Sequence, residues 1–267
     1  RIKPTADLRQ KGFQETDVVS IFKSITKYSK QILDPNHIRY ELEKAIHIAK
    51  SGRPGPVLLD IPDDLQREDI NPKSLSTYNN KFEGKGVDID EIAKVKYYLL
   101  KSKKPVLILG AGIRLANENK RAISFAEKLG IPILLTWGAK DILTHDHYLN
   151  MGGIGVCGPR AGNFSVQKSD LVIAIGTRLS QQITGGKQEL FATEAKKIMV
   201  DIDKEELNKF DKNSFELDLA INAPITTFFN EINKISFDEC PNFDLWINMI
   251  KEWAKTYPIF NKKYLLN

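Results

Sequence analysis

Four short apolar runs constrain this chain most: PVLILG at 105–110, IPILLT at 131–136, DLVIAIG at 170–176 and KIMVDID at 197–203. Each carries apolar side chains at odd and even positions alike. Such a strand must be covered on both faces, which is the situation of a parallel strand between two helical layers. Segments 89–102, 116–129, 159–168, 203–210 and 223–234 lie between or beside these runs and read as helices. Segment 116–129 ends at Gly130, an ordinary helix stop. A further strand, ELDLAIN, is expected at 216–222, and an amphipathic helix at 243–257. Strands alternating with helices predict an α/β fold built on a doubly wound, open parallel sheet.

A partial α/β unit precedes that sheet. Ile38, Leu42, Ala45, Ile46 and Ala49 share one face of a helix expected over 38–51, entered through Asp34-Pro35-Asn36. The turn Pro54-Gly55-Pro56 follows, then a strand at 57–61, VLLDI. This resembles the last α-β step of a domain, with only about fifty residues ahead of it. The polar stretch that comes next reads as a linker. The chain opens on Arg1 rather than Met, so an excerpt of a longer protein is expected.

Composition narrows the functional classes. At 42% hydrophobic and 27% charged residues the chain has ordinary globular composition. No apolar run approaches the ~20 residues of a membrane helix, so no membrane partner is expected. The net charge of +5 is spread over scattered lysines, with no concentrated basic patch, so no nucleic-acid partner is expected. Two cysteines, Cys157 and Cys240, cannot make a four-Cys zinc site; they suggest free thiols and a reducing, cytoplasmic compartment. His145 and His147 lack a third ligand nearby and read as solvated, and His37 and His47 as surface residues, so no metal site is assigned. Cys157 has no histidine near it in sequence, and hydrolase, zincin and P-loop motifs are missing.

Ligands of doubly wound sheets bind beyond the carboxyl ends of the strands. Here those ends read Gly110-Ala111-Gly112, Thr136-Trp137-Gly138, Gly176-Thr177-Arg178 and Asp201-Ile202-Asp203. Glycines admit a ligand to the backbone, an arginine offers a fork for phosphate, and an aspartate can hold a ribose hydroxyl. The competing reading is that such glycines only make turns; Leu115 already breaks a full G-x-G-x-x-G. The glycine-dense stretch 151–163, MGGIGVCGPRAGN, is expected to be a loop that faces a ligand or rounds a domain edge.

In order along the chain, GFQETD (12–17), ITKYS (25–29), SGRPGPVLLDIP (51–62), KPVLILGAG (104–112), GNFSVQKSDLVIAIGTRL (162–179), ITGG (183–186) and KIMVDIDKEEL (197–207) resemble acetolactate-synthase-like thiamine-diphosphate enzymes. The resemblance implies that 1–68 is the C-terminal part of a pyrimidine-binding domain. It makes 69–87 a linker, 88–235 a central Rossmann-like nucleotide-binding domain, and 236–267 a helix and linker towards a diphosphate-binding domain. It implies thiamine diphosphate and Mg2+ in the full-length protein, FAD or ADP in the central domain, and a homodimer or homotetramer. The substrates implied are a 2-ketoacid and a carbonyl acceptor. Phe13 and Gln14 match residues that line the active site. Gly110, Gly112, Thr136, Gly176, Thr177, Arg178, Asp201 and Ile202 fall on nucleotide-contacting stretches. The activating glutamate and the Gly-Asp-Gly…Asn motif of the family lie outside this sequence, so the isolated chain is expected to be inactive.

The chain departs from the family pattern in three places. Gln182 stands where acetolactate synthases have an arginine for the second ketoacid, and Asp63 stands where they have a lysine. Gly155-Val156-Cys157-Gly158 replaces their Gly-Met-His-Gly loop. An acceptor other than a second pyruvate is therefore expected. The alternatives are a non-catalytic FAD- or ADP-binding module and a sirtuin-type deacylase; the two cysteines argue against the latter.

Overall fold

The computed structural model describes residues 12, 15–79, 86–210 and 215–260. The chain divides into two compact units, 1–83 and 84–267.

The first unit contains α1 (Val18–Phe22), β1 (Tyr28–Gln31), α2 (Ile38–Lys50), β2 (Val57–Asp60) and α3 (Asp63–Gln66). Strands β1 and β2 pair in parallel, with Tyr28 opposite Val57. The entry turn to α2 is set by Asp34, whose carboxylate accepts the Asn36 N–H at 2.9 Å. Beyond the helix, Lys27 Nζ donates to the carbonyls of Ile48 and Ser51 at 2.5 Å and of Arg53 at 3.0 Å. A cation there complements both the unpaired carbonyls and the helix dipole.

The apolar stripe read along α2 is only partly the buried one. Ala45 is buried, but Leu42 and Ile46 are exposed and Glu41 is buried instead. The Glu41 carboxylate accepts hydrogen bonds from the Tyr28 hydroxyl and from Lys30 Nζ, both at 2.5 Å. Two donors on β1 thus draw the acid inward, while a two-stranded sheet is too narrow to cover the whole stripe. Strand β1, YSKQ, has no apolar run and leaves no strand signal in the sequence.

The second unit holds a six-stranded, wholly parallel sheet. Its strands are β3 (Pro105–Leu109), β4 (Ile133–Leu135), β5 (Asn150–Gly153), β6 (Leu171–Ile175), β7 (Lys196–Asp201) and β8 (Leu219–Asn222). Their order is β5-β4-β3-β6-β7-β8. The chain starts in the middle, winds outward to β5, then crosses back to β6 and continues to β8. That is the doubly wound Rossmann order, and its switch point lies between β3 and β6. Every residue of β3, β4 and β6 is buried, as expected of strands with apolar residues on both parities.

The helices are α4 (Ile89–Lys101), α5 (Ala111–Leu115), α6 (Asn119–Leu129), α7 (Arg160–Gln167), α8 (Gln181–Thr184), α9 (Lys204–Asn208), α10 (Ile225–Ile232) and α11 (Asp244–Thr256). A capping box between Asp88 and Glu91 starts α4. Gly130, left-handed at φ 63°, ends α6. Helix α10 packs on α4 and α11 on α7. Phe125 of α6 sits 6.0 Å from the rings of Phe229 and Phe237 and 6.5 Å from Phe228. Such edge-on aromatic contacts add to the apolar burial of the core.

Carboxylates tie down the amino edge of the sheet. Asp170 accepts the Ser102 hydroxyl and the backbone N–H groups of Lys103 at 2.7 Å and Lys104 at 3.0 Å. Asp218 accepts the N–H of Lys197 at 2.9 Å and Lys196 Nζ at 2.7 Å. The opposite, carboxyl edge carries the candidate site.

Candidate functional site

The strand order sets the ends of β4, β3, β6 and β7 side by side, so Thr136, Gly110, Gly176 and Asp201 share one edge. At the switch point the backbone closes on itself. Gly110 N–H donates to the Ile175 carbonyl at 3.0 Å, and Gly112 N–H to that of Gly176 at 2.9 Å. A Cβ on Gly110 would lie 2.2 Å from the Gly176 oxygen, and one on Gly112 2.7 Å from the Gly176 Cα. Gly176 itself has φ 60°, and a Cβ there would meet Ile225 at 2.8 Å. The packing of the two strand ends alone demands these three glycines.

The other edge residues serve the fold as well as facing it. Buried Thr136 donates its hydroxyl to the Leu109 carbonyl at 3.2 Å, tying β4 to β3, and Thr177 is buried beside the switch point. Asp201 is buried, and its carboxylate accepts the Asp203 N–H at 2.9 Å. The Ile202 carbonyl accepts Asn222 Nδ2 at 3.0 Å. The turn after β7 is therefore internally ordered.

Arg178 is different. Its side chain is 60% exposed, and its Nε donates to Glu206 at 2.6 Å. Glu206, buried on α9, also accepts from Lys209 Nζ at 2.6 Å. Burial pushes the Glu206 carboxyl up, but the hydrogen bonds and charges of Lys209 and Arg178 outweigh it and hold it below the ordinary carboxylate range. Lys209 donates to the Arg178 carbonyl too. Neither Glu206 nor Lys209 was singled out from sequence. Their spacing of three on a helix after a strand end was the available signal.

The stretch 151–163 is not wholly a loop, because its first residues belong to β5. That strand is hard to read because Asn-Met-Gly-Gly has no β-branched residue and little apolar content. Gly155, at φ 96°, packs on α8: its Cβ would fall 2.2 Å from the Gln182 carbonyl oxygen, which accepts the Val156 N–H at 2.9 Å. Asn163 clamps the loop, donating to the Gly155 carbonyl at 3.0 Å and accepting its N–H at 2.9 Å. Val156, Cys157 and the side chain of Gln182 are exposed. The departures at 155–158 and 182 thus lie against each other.

Phe13 and Gln14 lie outside the described residues. His145 is exposed, but His147 is not a solvated histidine. Its ring is 17% exposed, with Nε2 3.1 Å from Glu127 and Nδ1 accepting the Leu149 N–H at 3.2 Å. It fastens the approach to β5. Among the described residues no group of His, Cys, Asp and Glu could hold a metal ion, and no helix is long and apolar enough to cross a membrane. An exposed guanidinium at the carboxyl edge of a parallel sheet offers paired donors to an anionic group.

The family described as the thiamine pyrophosphate enzyme central domain matches residues 92–232, which span β3 to α10 and so the whole switch-point edge. The chain is 35% identical over 214 residues to the probable acetolactate synthase large subunit of Methanocaldococcus jannaschii, covering 77% of this chain and 36% of that protein. It is 33% identical over 253 residues to the acetolactate synthase large subunit of Corynebacterium glutamicum, covering 92% and 40%. With the chloroplastic acetolactate synthase of Arabidopsis thaliana the identity is 31% over 262 residues, covering 95% and 38%. The chain spans well under half the length of these relatives. Fold and family match agree: this chain belongs to the thiamine pyrophosphate enzymes and carries their central domain.

Proposed function

We propose that this chain is the middle of a thiamine-diphosphate-dependent 2-ketoacid decarboxylase or carboligase of the acetolactate synthase type. The observation that carries this is the run of 31–33% identity to acetolactate synthases over 92–95% of the chain. Residues 1–68 then end a pyrimidine-binding domain, 69–87 link it, 88–235 form the central domain, and 236–267 lead towards a diphosphate-binding domain. Thiamine diphosphate with Mg2+ supplies the carbon–carbon bond chemistry when bound. Phe13 and Gln14 line the substrate region, and the edge around Gly110, Thr136, Arg178 and Asp201 takes FAD or ADP. A cytoplasmic homodimer or homotetramer is part of the same reading.

The acceptor is proposed to be a carbonyl compound other than a second pyruvate. A neutral Gln182 cannot make the charge-assisted, two-pronged contact of an arginine with a carboxylate. The altered 155–158 loop beside it supports the same reading. The test is to assay the full-length gene product with pyruvate, with and without thiamine diphosphate. Thiamine-dependent CO2 release that a carbonyl acceptor other than pyruvate accelerates is the expected result. Fast acetolactate formation would overturn the acceptor assignment. No thiamine-dependent turnover with any 2-ketoacid would overturn the enzyme reading and leave a nucleotide-binding module.

A further inference from the structure

We propose that Glu206 and Lys209 are positioning residues that hold the Arg178 guanidinium at the carboxyl edge of the sheet, over the ends of β6 and β7, for a phosphate of the bound nucleotide. This rests on the reading that the edge takes FAD or ADP. The geometry supports it in three ways. First, Arg178 is bound through Nε alone, and its two terminal amino groups make no hydrogen bond or ion pair among the described residues. A guanidinium held that way is fixed in plane yet keeps two parallel donors for a further anion.

Second, among the described residues two cations, Arg178 and Lys209, share the one buried carboxylate of Glu206. Lys209 is fully engaged inside it, by Glu206, by the Arg178 carbonyl and by the Phe210 ring at 5.0 Å. It acts as the clamp, and Arg178 faces outward. Third, the next residue, Leu179, is 1% exposed yet adopts φ 43°. A bulky residue in the left-handed region persists only where its surroundings over-determine it. Its buried side chain anchors the segment that carries Arg178.

An ordinary surface ion pair would leave nucleotide affinity untouched, and charge alone predicts the opposite of positioning. Removing the negative charge of Glu206 makes the edge more positive and by Coulomb's law would tighten anion binding. Loss of orientation would weaken it. The experiment titrates ADP and FAD into the full-length protein and its variants by calorimetry, with melting curves as the folding control. Arg178→Ala is expected to weaken binding about tenfold or more, the scale of a charged hydrogen bond. Glu206→Gln is expected to weaken it several-fold, and to add nothing when Arg178 is already alanine.

Unchanged or tighter binding in Glu206→Gln would overturn the proposal, as would an equal loss with and without Arg178. If Glu206→Gln does not fold, Lys209→Met decides by the same cycle, a loss only in the presence of Arg178 being expected. Wild-type protein that binds neither ADP nor FAD would overturn the nucleotide reading itself, a result distinct from the others.

Discussion

Strands β2 and β3 are both short, apolar and parallel to their neighbours, yet every residue of VLLD is half-buried and every residue of PVLIL is buried. The difference lies in what surrounds them. β3 has β4 on one side and β6 on the other, with helices packed on its sheet. β2 has β1 as its one strand neighbour among the described residues. The buried apolar residues described in the first unit are Ile32, Ala45 and Leu65, whereas the continuous core runs from Ile92 to Ile250. Apolar sequence makes a strand, but its neighbours decide how much water it loses. The first unit accordingly leans on polar ties, Lys27 on the end of α2 and Tyr28 and Lys30 on Glu41.

The largest expected effect separates the two units by their cores. Phe125→Ala removes a ring that is 2% exposed and meets three other phenylalanines, and should cost about 3–5 kcal/mol. Leu42→Ala, at 42% exposure on α2, should change stability by no more than about 0.5 kcal/mol. Urea denaturation reads both. Tryptophan emission follows the second unit, which carries Trp137, Trp246 and Trp253, and circular dichroism follows the whole chain. Equal losses from the two substitutions would break the comparison.

A smaller effect is expected at the amino edge of the large sheet. Asp170→Ala would strand the Ser102 hydroxyl and the N–H groups of Lys103 and Lys104. Leaving the buried Ser102 hydroxyl unmatched costs about 1–3 kcal/mol, while the N–H groups of the exposed Lys103 and Lys104 turn to water. Hydrogen exchange should quicken at Lys103 and Lys104 while the carboxyl edge keeps its protection. Faster exchange at Gly110 and Gly112 as well would show that the two edges are not separable.

How much of this was legible depended on how strongly each residue declares its surroundings. PVLILG, DLVIAIG and KIMVDID could be read as buried parallel strands because apolar side chains on both parities have no other stable place. The parallel sheet followed from them. β1 and β5 could not be read this way: Tyr-Ser-Lys-Gln and Asn-Met-Gly-Gly are held by pairing and turn geometry. The edge glycines were visible as glycines, but not the reason for them. Whether Gly110 faces a ligand or the backbone of Gly176 depends on a 2.2 Å clash across the switch point, which residue identity does not reveal. Glu41 and Glu206 were hidden for a related reason. A carboxylate in a helix reads as solvated, and only the tertiary donors beside it turn it inward.

Those two carboxylates give the last and smallest effect, an acid transition that should strike the units in order. At Glu41, burial raises the carboxyl, but hydrogen bonds from Lys30 and Tyr28 and the charges of Lys30 and Lys44 outweigh it, so its pKa lies below the ordinary value. A depressed carboxyl stabilises the fold fully above its unfolded pKa of about 4.3 and loses that contribution as pH falls through the lower native value. Glu206 follows the same sign in the second unit. The first unit has far less apolar burial in reserve, so protonating Glu41 should unfold it while the large sheet still stands. Circular dichroism should then fall at a higher pH than tryptophan emission changes. In Glu41→Gln the tie is already weakened at neutral pH, so the early step should become less steep in pH, the Asp17 and Glu43 carboxyls, also held below their ordinary range, keeping the rest. Coincident transitions in the wild type would mean that the two units unfold together, and that the polar ties of the first do not limit it.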